Sequence, residues 1–421
     1  MRPIDEAAGT HSASGHSSHN PRMRIRRRAP CLLEIGDELL PDFGALLHGT
    51  VRIAAATRIF LLCPVSGNRL PLSLPEATFV AGLEGEAWHE VDALAARGPL
   101  DAAAITQLAA RGILLSDGEN TQARSLREQE ARLHSVGWHP LAAAYHAHSV
   151  WHGVIGEEGS RDHGDAAHAE RLATHAGQHG PLPTHFPRRD DALERIALPV
   201  EPFDDALAAT LRERRTTRHF DPSTPLPLAD FTRVLYGTFG ALGTHELAPG
   251  MVAIKRTSAS GGGLHPIEAY PLVLDVEGLA PGFYHYEAGH HALALLQPMS
   301  ATRARELAAS LTIGQTYFAQ AQAMVFHIGR VDRHHWKYRR HAKAYKALLL
   351  DSGHLSQTFY LLAADRGLGA FFTAAINDGD LADMLELDPV REIAIGANGL
   401  GTIDPEHDEL HLRPVPYLPA S

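Results

Sequence analysis

The period of apolar positions changes along the chain, and each change marks an element. Val51 to Leu62 is an apolar, partly β-branched run that ends at Cys63-Pro64, a pattern that predicts a strand. Pro71, Pro75 and several glycines punctuate the stretch downstream of it. Val91, Leu94 and Ala95 then recur at helical spacing ahead of Gly98-Pro99. Asp101 is placed to N-cap a second helix that carries Ile105 and Leu108 and stops near Gly112. The run Gly112-Ile113-Leu114-Leu115 reads as a short strand.

Between residues 156 and 199 the periodicity gives way to Gly, Pro, His and charge, which predicts a linker. It separates a module at 23–155 from a larger domain at 200–421, whose chemistry starts from about Leu207. Residues 1–22 are rich in Ser, His, Ala and Gly and are expected to form a disordered tail, with Met23 an alternative start.

In the larger domain, Met324 to Val331, Gly369 to Ile376 and Glu392 to Gly396 read as buried strands that alternate with helical segments. Phe283 to Tyr286 and Ala292 to Leu296 face each other across Ala288-Gly289 as a hairpin. Tyr345, Leu348, Leu349, Leu355, Phe359 and Leu362 form the apolar face of a long helix that stops at Gly367. The expected class is therefore α+β, a mixed central sheet flanked by helices, preceded by a small α/β module.

Composition narrows the function. Hydrophobic residues are 44% and charged residues 21% of 421, and no apolar run approaches the roughly 20 residues that span a bilayer, so no membrane partner is expected. A formal charge of -11 argues against general nucleic-acid binding. Only Cys31 and Cys63 occur, without CxxC spacing, which removes a disulfide framework or thiolate zinc site and suits a cytoplasmic protein. The Arg24, Arg26, Arg27, Arg28 cluster is followed by Glu34, Asp37 and Glu38, not by the apolar core of a signal peptide. The 28 histidines include His163, His168, His175 and His179, which lie in the Gly- and Ala-rich linker and read as solvated, not as metal ligands. No metal is expected.

Candidate chemistry begins at Leu211-Arg212-Glu213-Arg214-Arg215-Thr216-Thr217-Arg218-His219-Phe220. Arg214, Thr216 and Arg218 are two apart, so in an extended segment they point one way and can fork around a phosphate; an exposed charged turn would look the same. Further on, Lys255 to Tyr270 contains Arg256, Ser258, Ser260, Gly261 and Gly262 ahead of a strand from Tyr270 to Val276. Missing Cβ atoms let backbone amides approach a planar ligand, and the hydroxyls can bond a flavin's polar edge. The spacing is neither GxGxxG nor a P-loop.

Together these segments resemble the nitroreductase superfamily: "RRTTRHF" is similar to its R-x-[ST]-x-[KR] phosphate segment, and "SASGGGLHPIEAY" looks like its SagB/ThcOx branch of FMN-dependent azoline dehydrogenases. A third segment supports the match: Lys337-Tyr338, then a helix with G-H-x-x-Q in which His354 and Gln357 share a face. "GLGAFFTAAIND", which starts near Gly369, matches the segment beside the flavin, and "IGANGLG" the closing strand. The resemblance implies a nitroreductase-like FMN-binding fold and a homodimer with FMN at its interface. It also implies that Arg214, Thr216 and Arg218 hold the phosphate and that Ser260, Gly261 and Gly262 lie on the isoalloxazine.

Azoline oxidation removes a ring proton while a hydride leaves for the flavin, so it needs a base. An ammonium beside a tyrosine favours the phenolate, and the resemblance makes Lys337 and Tyr338 the catalytic pair. It implies a precursor peptide, leader plus core, as substrate and a cyclodehydratase as partner, in the maturation of ribosomal peptide natural products. The front module resembles a winged helix that holds leader peptides, and it reads equally as a dimerisation appendage. Two departures stand out: Thr358 replaces the Asn that follows the Gln in the family pattern, and beyond Gly401 only Arg413 could complete the phosphate site. Two other functions stay open, a flavin-dependent NAD(P)H reductase of dehydroamino acids or small electrophiles and a non-catalytic scaffold.

Overall fold

The computed structural model describes residues 23–41, 50–156, 166–199 and 203–406; the expected tail at 1–22, His163 and Arg413 lie outside them. The chain divides into two compact units, Met1–Arg132 and Leu133–Ser421.

The first unit contains two three-stranded antiparallel sheets. One orders Leu32–Pro41, Ile53–Leu62 and Arg69–Leu72; the other places Arg24–Arg27 between His89–Glu90 and Leu114–Ser116. The arginine cluster is thus a central strand, with Arg26 paired to Glu130 at 2.5 Å. Helix Leu74–Gly82 starts with a capping box between Ser73 and Glu76, and Asp101 accepts from Ala104 N at 2.8 Å to start Ala102–Ala110. Ile25, Val80, Ile105, Leu108 and Ile113 are wholly buried between these elements.

The second unit is built on a six-stranded sheet ordered Ala292–Pro298, Gly282–Glu287, Ile267–Val273, Ala323–Arg330, Glu392–Gly401 and Gly369–Thr373. Every pairing in it is antiparallel, and the parallel component is confined to a bridge between Leu226 and Val276. The strand read as Tyr270 to Val276 is Ile267–Val273, three residues earlier, because Pro266 marks its start. Phe326 and Phe283 pack with ring centroids 5.6 Å apart, and Phe371 stacks on Phe318 at 3.7 Å, so the aromatic residues of the inner strands form one core. The long helix Ala344–Asp365 lies on the sheet, and Gly367 follows it with φ +68°, a left-handed stop that suits glycine.

Residues 133–155, expected in the front module, belong to this second unit. The Trp138 indole donates to Val390 O at 2.8 Å, and the Asn377 side chain accepts from Val154 N at 2.8 Å and donates to Val154 O at 3.0 Å. The segment read as linker carries a helix, Ala166–His179, whose rings His175 and His179 meet at 4.4 Å on an exposed surface. Among the described residues no helix is long and apolar enough to cross a membrane, and no group of three or more His, Cys, Asp or Glu could hold a metal ion.

Candidate active site

The glycine-rich segment is laid along the long helix and fixed there by side chains at both ends. A hairpin of Gly243–Ala248 and Met251–Lys255 delivers the chain to Arg256, which is buried and donates to Ile267 O at 3.1 Å. Burial pushes its guanidinium below the ordinary value, with Glu268 opposing. The Ser258 hydroxyl sits 2.6 Å from the Thr358 hydroxyl and donates to His354 O at 3.4 Å, so the threonine that departs from the family pattern anchors the loop. His354 Nδ1 lies 3.1 Å from Ala259 O.

Asp351 then clamps the glycines. Its carboxylate accepts from Ser260 Oγ at 2.5 Å and from Gly261 N at 2.9 Å, while Ser260 Oγ accepts from His265 N at 2.9 Å. Both serine hydroxyls expected to meet a flavin are therefore hydrogen-bonded within the chain. The loop's outward face is backbone.

Lys337 is the last residue of helix Val331–Lys337 and Tyr338 its C-cap, so the adjacent side chains are not forced apart as they would be on a strand. Both converge on Gly262. Lys337 Nζ donates to Gly262 O at 3.4 Å, and a Cβ at Gly262 would stand 2.5 Å from Tyr338 Oη and 2.9 Å from Lys337 Nζ. Gly262 has φ +66°, so close approach and backbone conformation both require glycine here. One turn back, His334 is wholly buried with its ring 5.1 Å from that of Tyr338. Its two ring nitrogens have no hydrogen-bond partner among the described residues; burial lowers its pKa and Asp351 opposes this.

The basic segment approaches the same helix further along. Asp205 caps Ala206–Glu213, and Arg214 leaves it in an extended conformation. Thr217 N donates to Ala370 O at 2.8 Å and Phe220 bridges to Ile403, so this stretch lies along the sheet edge, with Thr217 and Phe220 buried and the residues between and before them half-buried. Arg214 and Thr216 both reach Tyr360: the hydroxyls are 3.1 Å apart and the guanidinium carbon is 5.5 Å from the ring centroid. Arg218 is half-buried. Among the described residues neither Arg214 nor Arg218 forms an ion pair, and a cavity of about 220 Å3 opens between Glu213, Arg215, Tyr360 and Leu368.

Thr217 points inward, where its side chain covers Gly369; a Cβ there would lie 2.7 Å from Thr217 Cγ2. Gly369 is thus needed for packing against Thr217. His354 and Gln357 are exposed, and with Tyr360 they form a row at three-residue steps that winds from the glycine loop to the basic segment. Asp351, His334 and Tyr360 do not stand out in the sequence. The one signal is Asp351, an acidic residue directly after Leu348-Leu349-Leu350 on an otherwise apolar helix face.

Residues 211–402 match the Nitroreductase family. The chain is 28% identical over 156 residues to the trifolitoxin-processing protein TfxB of Rhizobium leguminosarum bv. trifolii, an alignment that covers 37% of this chain and 42% of TfxB. It is 25% identical over 181 residues to MJ1384 of Methanocaldococcus jannaschii, named as a nitroreductase, with 43% of this chain and 84% of that protein covered. Among solved structures, it is similar to a chain of the E. coli microcin synthetase McbBCD complex with truncated pro-MccB17 bound, at 19% identity and a TM-score of 0.42 over 60% of this chain and 89% of that chain. The chain thus spans less than half the length of TfxB. The six-stranded sheet, the basic segment Arg214 to Arg218 and the long helix all fall inside the stretch that matches the Nitroreductase family, and this stretch has a nitroreductase-like α+β fold.

Proposed function

We propose that the protein is an FMN-dependent oxidoreductase of ribosomal peptide maturation that dehydrogenates thiazoline or oxazoline rings to thiazoles or oxazoles. The observation that carries this reading is the convergence of Lys337 and Tyr338 on the backbone of Gly262, at the outward face of the glycine loop. The trifolitoxin-processing relative supports a peptide as the substrate.

The residues fit the cofactor. Arg214 and Arg218 carry charge that no described carboxylate neutralises, as a phosphate site requires, and at Gly262 a Cβ would fill the space before Lys337 and Tyr338. FMN, when bound, supplies the two-electron acceptor. Arg214, Thr216 and Arg218 would hold its phosphate, and Arg256, Ser258, Ser260, His354, Gln357 and Gly369 shape or support the surface along which it lies. Tyr338 Oη, as a phenolate favoured by the Lys337 ammonium that also converges on Gly262, would take the ring proton of the substrate and become the neutral phenol. The front module would capture the leader peptide or a second copy of the chain, and a cyclodehydratase would supply the azoline.

MJ1384 favours a second reading, reduction of small electrophiles at the expense of NAD(P)H. Tyr338→Phe separates the two, because delivery of electrons to an electrophile needs no base at this position. The variant, loaded with FMN, should lose azoline oxidation by about a hundredfold or more and keep NAD(P)H-driven dye reduction. Equal loss of both activities would contradict the assignment of Tyr338 as base.

A further inference from the structure

A second cavity, of about 390 Å3, opens between helix Pro140–Ser149, the long helix and the ends of strands Gly369–Thr373 and Glu392–Gly401. Four rings line it, Tyr145, His146 and Tyr345 on the helices and Phe372 on the strand, together with the aliphatic side chains of Leu349 and Ile395 and the hydroxyls of Ser149 and Ser352. Behind the lining, Trp138 stacks on His146 with centroids 5.8 Å apart and planes within 19°, and is itself pinned through its indole N–H to Val390 O. The cavity thus offers ring surface from both helices and the strand, at a size that takes a small ring together with part of a peptide.

Its charge selects further. Asp378 is the lone ionisable acid in the lining, and no Lys or Arg contributes to it. Burial holds His146 near a pKa of about 4 and pushes Tyr345 up to about 12, so both are neutral at neutral pH. Such a lining offers no cation to an anion and sets the Asp378 carboxyl against it.

The slot is also tied to the Lys337–Tyr338 helix by rings in contact. Trp138 meets His335 edge-on at 5.1 Å, His335 lies 5.7 Å from His334, and His334 lies 5.1 Å from Tyr338. A ligand seated against His146 therefore presses on the packing that positions the proposed catalytic pair.

We propose that this cavity is a recognition site for a neutral, planar azole ring of the peptide, apart from the ring being oxidised. The identity of the ring rests on the azoline reading above; the preference for a neutral flat ring rests on the lining alone. The test uses the full chain loaded with FMN, titrated calorimetrically with thiazole carboxamide and, separately, with the anionic thiazole carboxylate. The carboxamide should bind once per chain and the carboxylate at least about tenfold more weakly. Leu349→Trp, which fills the slot, should weaken carboxamide binding by about tenfold or more, whereas Leu350→Trp, one residue on and outside the lining, should not.

Absence of carboxamide binding, equal affinity for the carboxylate, or indifference to Leu349→Trp would each overturn the proposal. Loss of the flavin's visible absorbance in Leu349→Trp alone would overturn it too, by giving the slot to the flavin ring. A chain that takes up no FMN yet binds the carboxamide in this Leu349-sensitive way would break the oxidoreductase reading and leave the azole site standing.

Discussion

Asp351 shows how much of this site depends on one buried carboxylate. It accepts from Ser260 Oγ and Gly261 N, so it sets where the glycine backbone stands relative to Lys337 and Tyr338. An amide at this position keeps one acceptor and loses the charge. Asp351→Asn should cost about 1–3 kcal/mol of stability and release FMN more readily, read by denaturant titration and by flavin fluorescence after dilution. Unchanged retention of FMN would show that the clamp is dispensable.

Gly262 is the complementary case, since any side chain there collides with both catalytic candidates and meets a left-handed φ. Gly262→Ala should lower azoline oxidation by about tenfold or more while the fold loses only about 1–2 kcal/mol, checked by turnover and thermal melting. The glycine cluster stood out in the sequence by its composition, whereas the Lys-Tyr pair, a common dipeptide, was singled out only through the family resemblance of its surroundings. His334 was not legible, because a lone His announces nothing until folding shows what it touches, and Asp351 left only its acidic place after three leucines.

At the level of elements, the long helix was legible from Tyr345, Leu348, Leu355 and Phe359, whose spacing matches one buried face. The strand Arg24–Arg27 was hidden because its charges point to partners such as Glu130 and leave only Ile25 to signal burial. The helix Ala166–His179 was hidden for lack of an apolar face, and its exposure explains that lack.

Buried histidines between these elements set a pH limit. His327 is held near a pKa of about 4 by burial, and His335 near about 4 by burial together with the charges of His334 and Arg339. In the unfolded chain both titrate near about 6.5. Above that pH both states are neutral and the fold keeps its full stability. As pH falls from about 6.5 toward 4, the unfolded chain binds protons that the fold refuses, and stability is lost, by roughly 2 kcal/mol per histidine at about pH 5. The urea midpoint should therefore be clearly lower at about pH 5 than at about pH 7. Equal midpoints would contradict this.

For the molecule as a whole, the sequence located a boundary region but not the partition. Residues 181–199 are exposed throughout and lack helix or strand, while 133–156 are bonded into the second unit through Trp138, Trp151, Gly153 and Val154. That attachment was unreadable because it rests on backbone N–H groups received by the Asn377, Asp378 and Asp380 side chains and on one indole N–H, which leave no periodic trace. Trypsin should cut first at Arg188, Arg189 or Arg195, and the nicked halves should co-elute on gel filtration. Separation of the fragments without denaturant would show that 133–156 do not hold.

The central claim, that the domain matching the Nitroreductase family is a flavin enzyme, is tested most directly by the visible absorption spectrum of the purified protein, followed by heat release and identification of the chromophore. Bound FMN in a ratio near one per chain, reduced by Arg214→Ala or Arg218→Ala, is the predicted result. A colourless protein that fails to take up added FMN would contradict it.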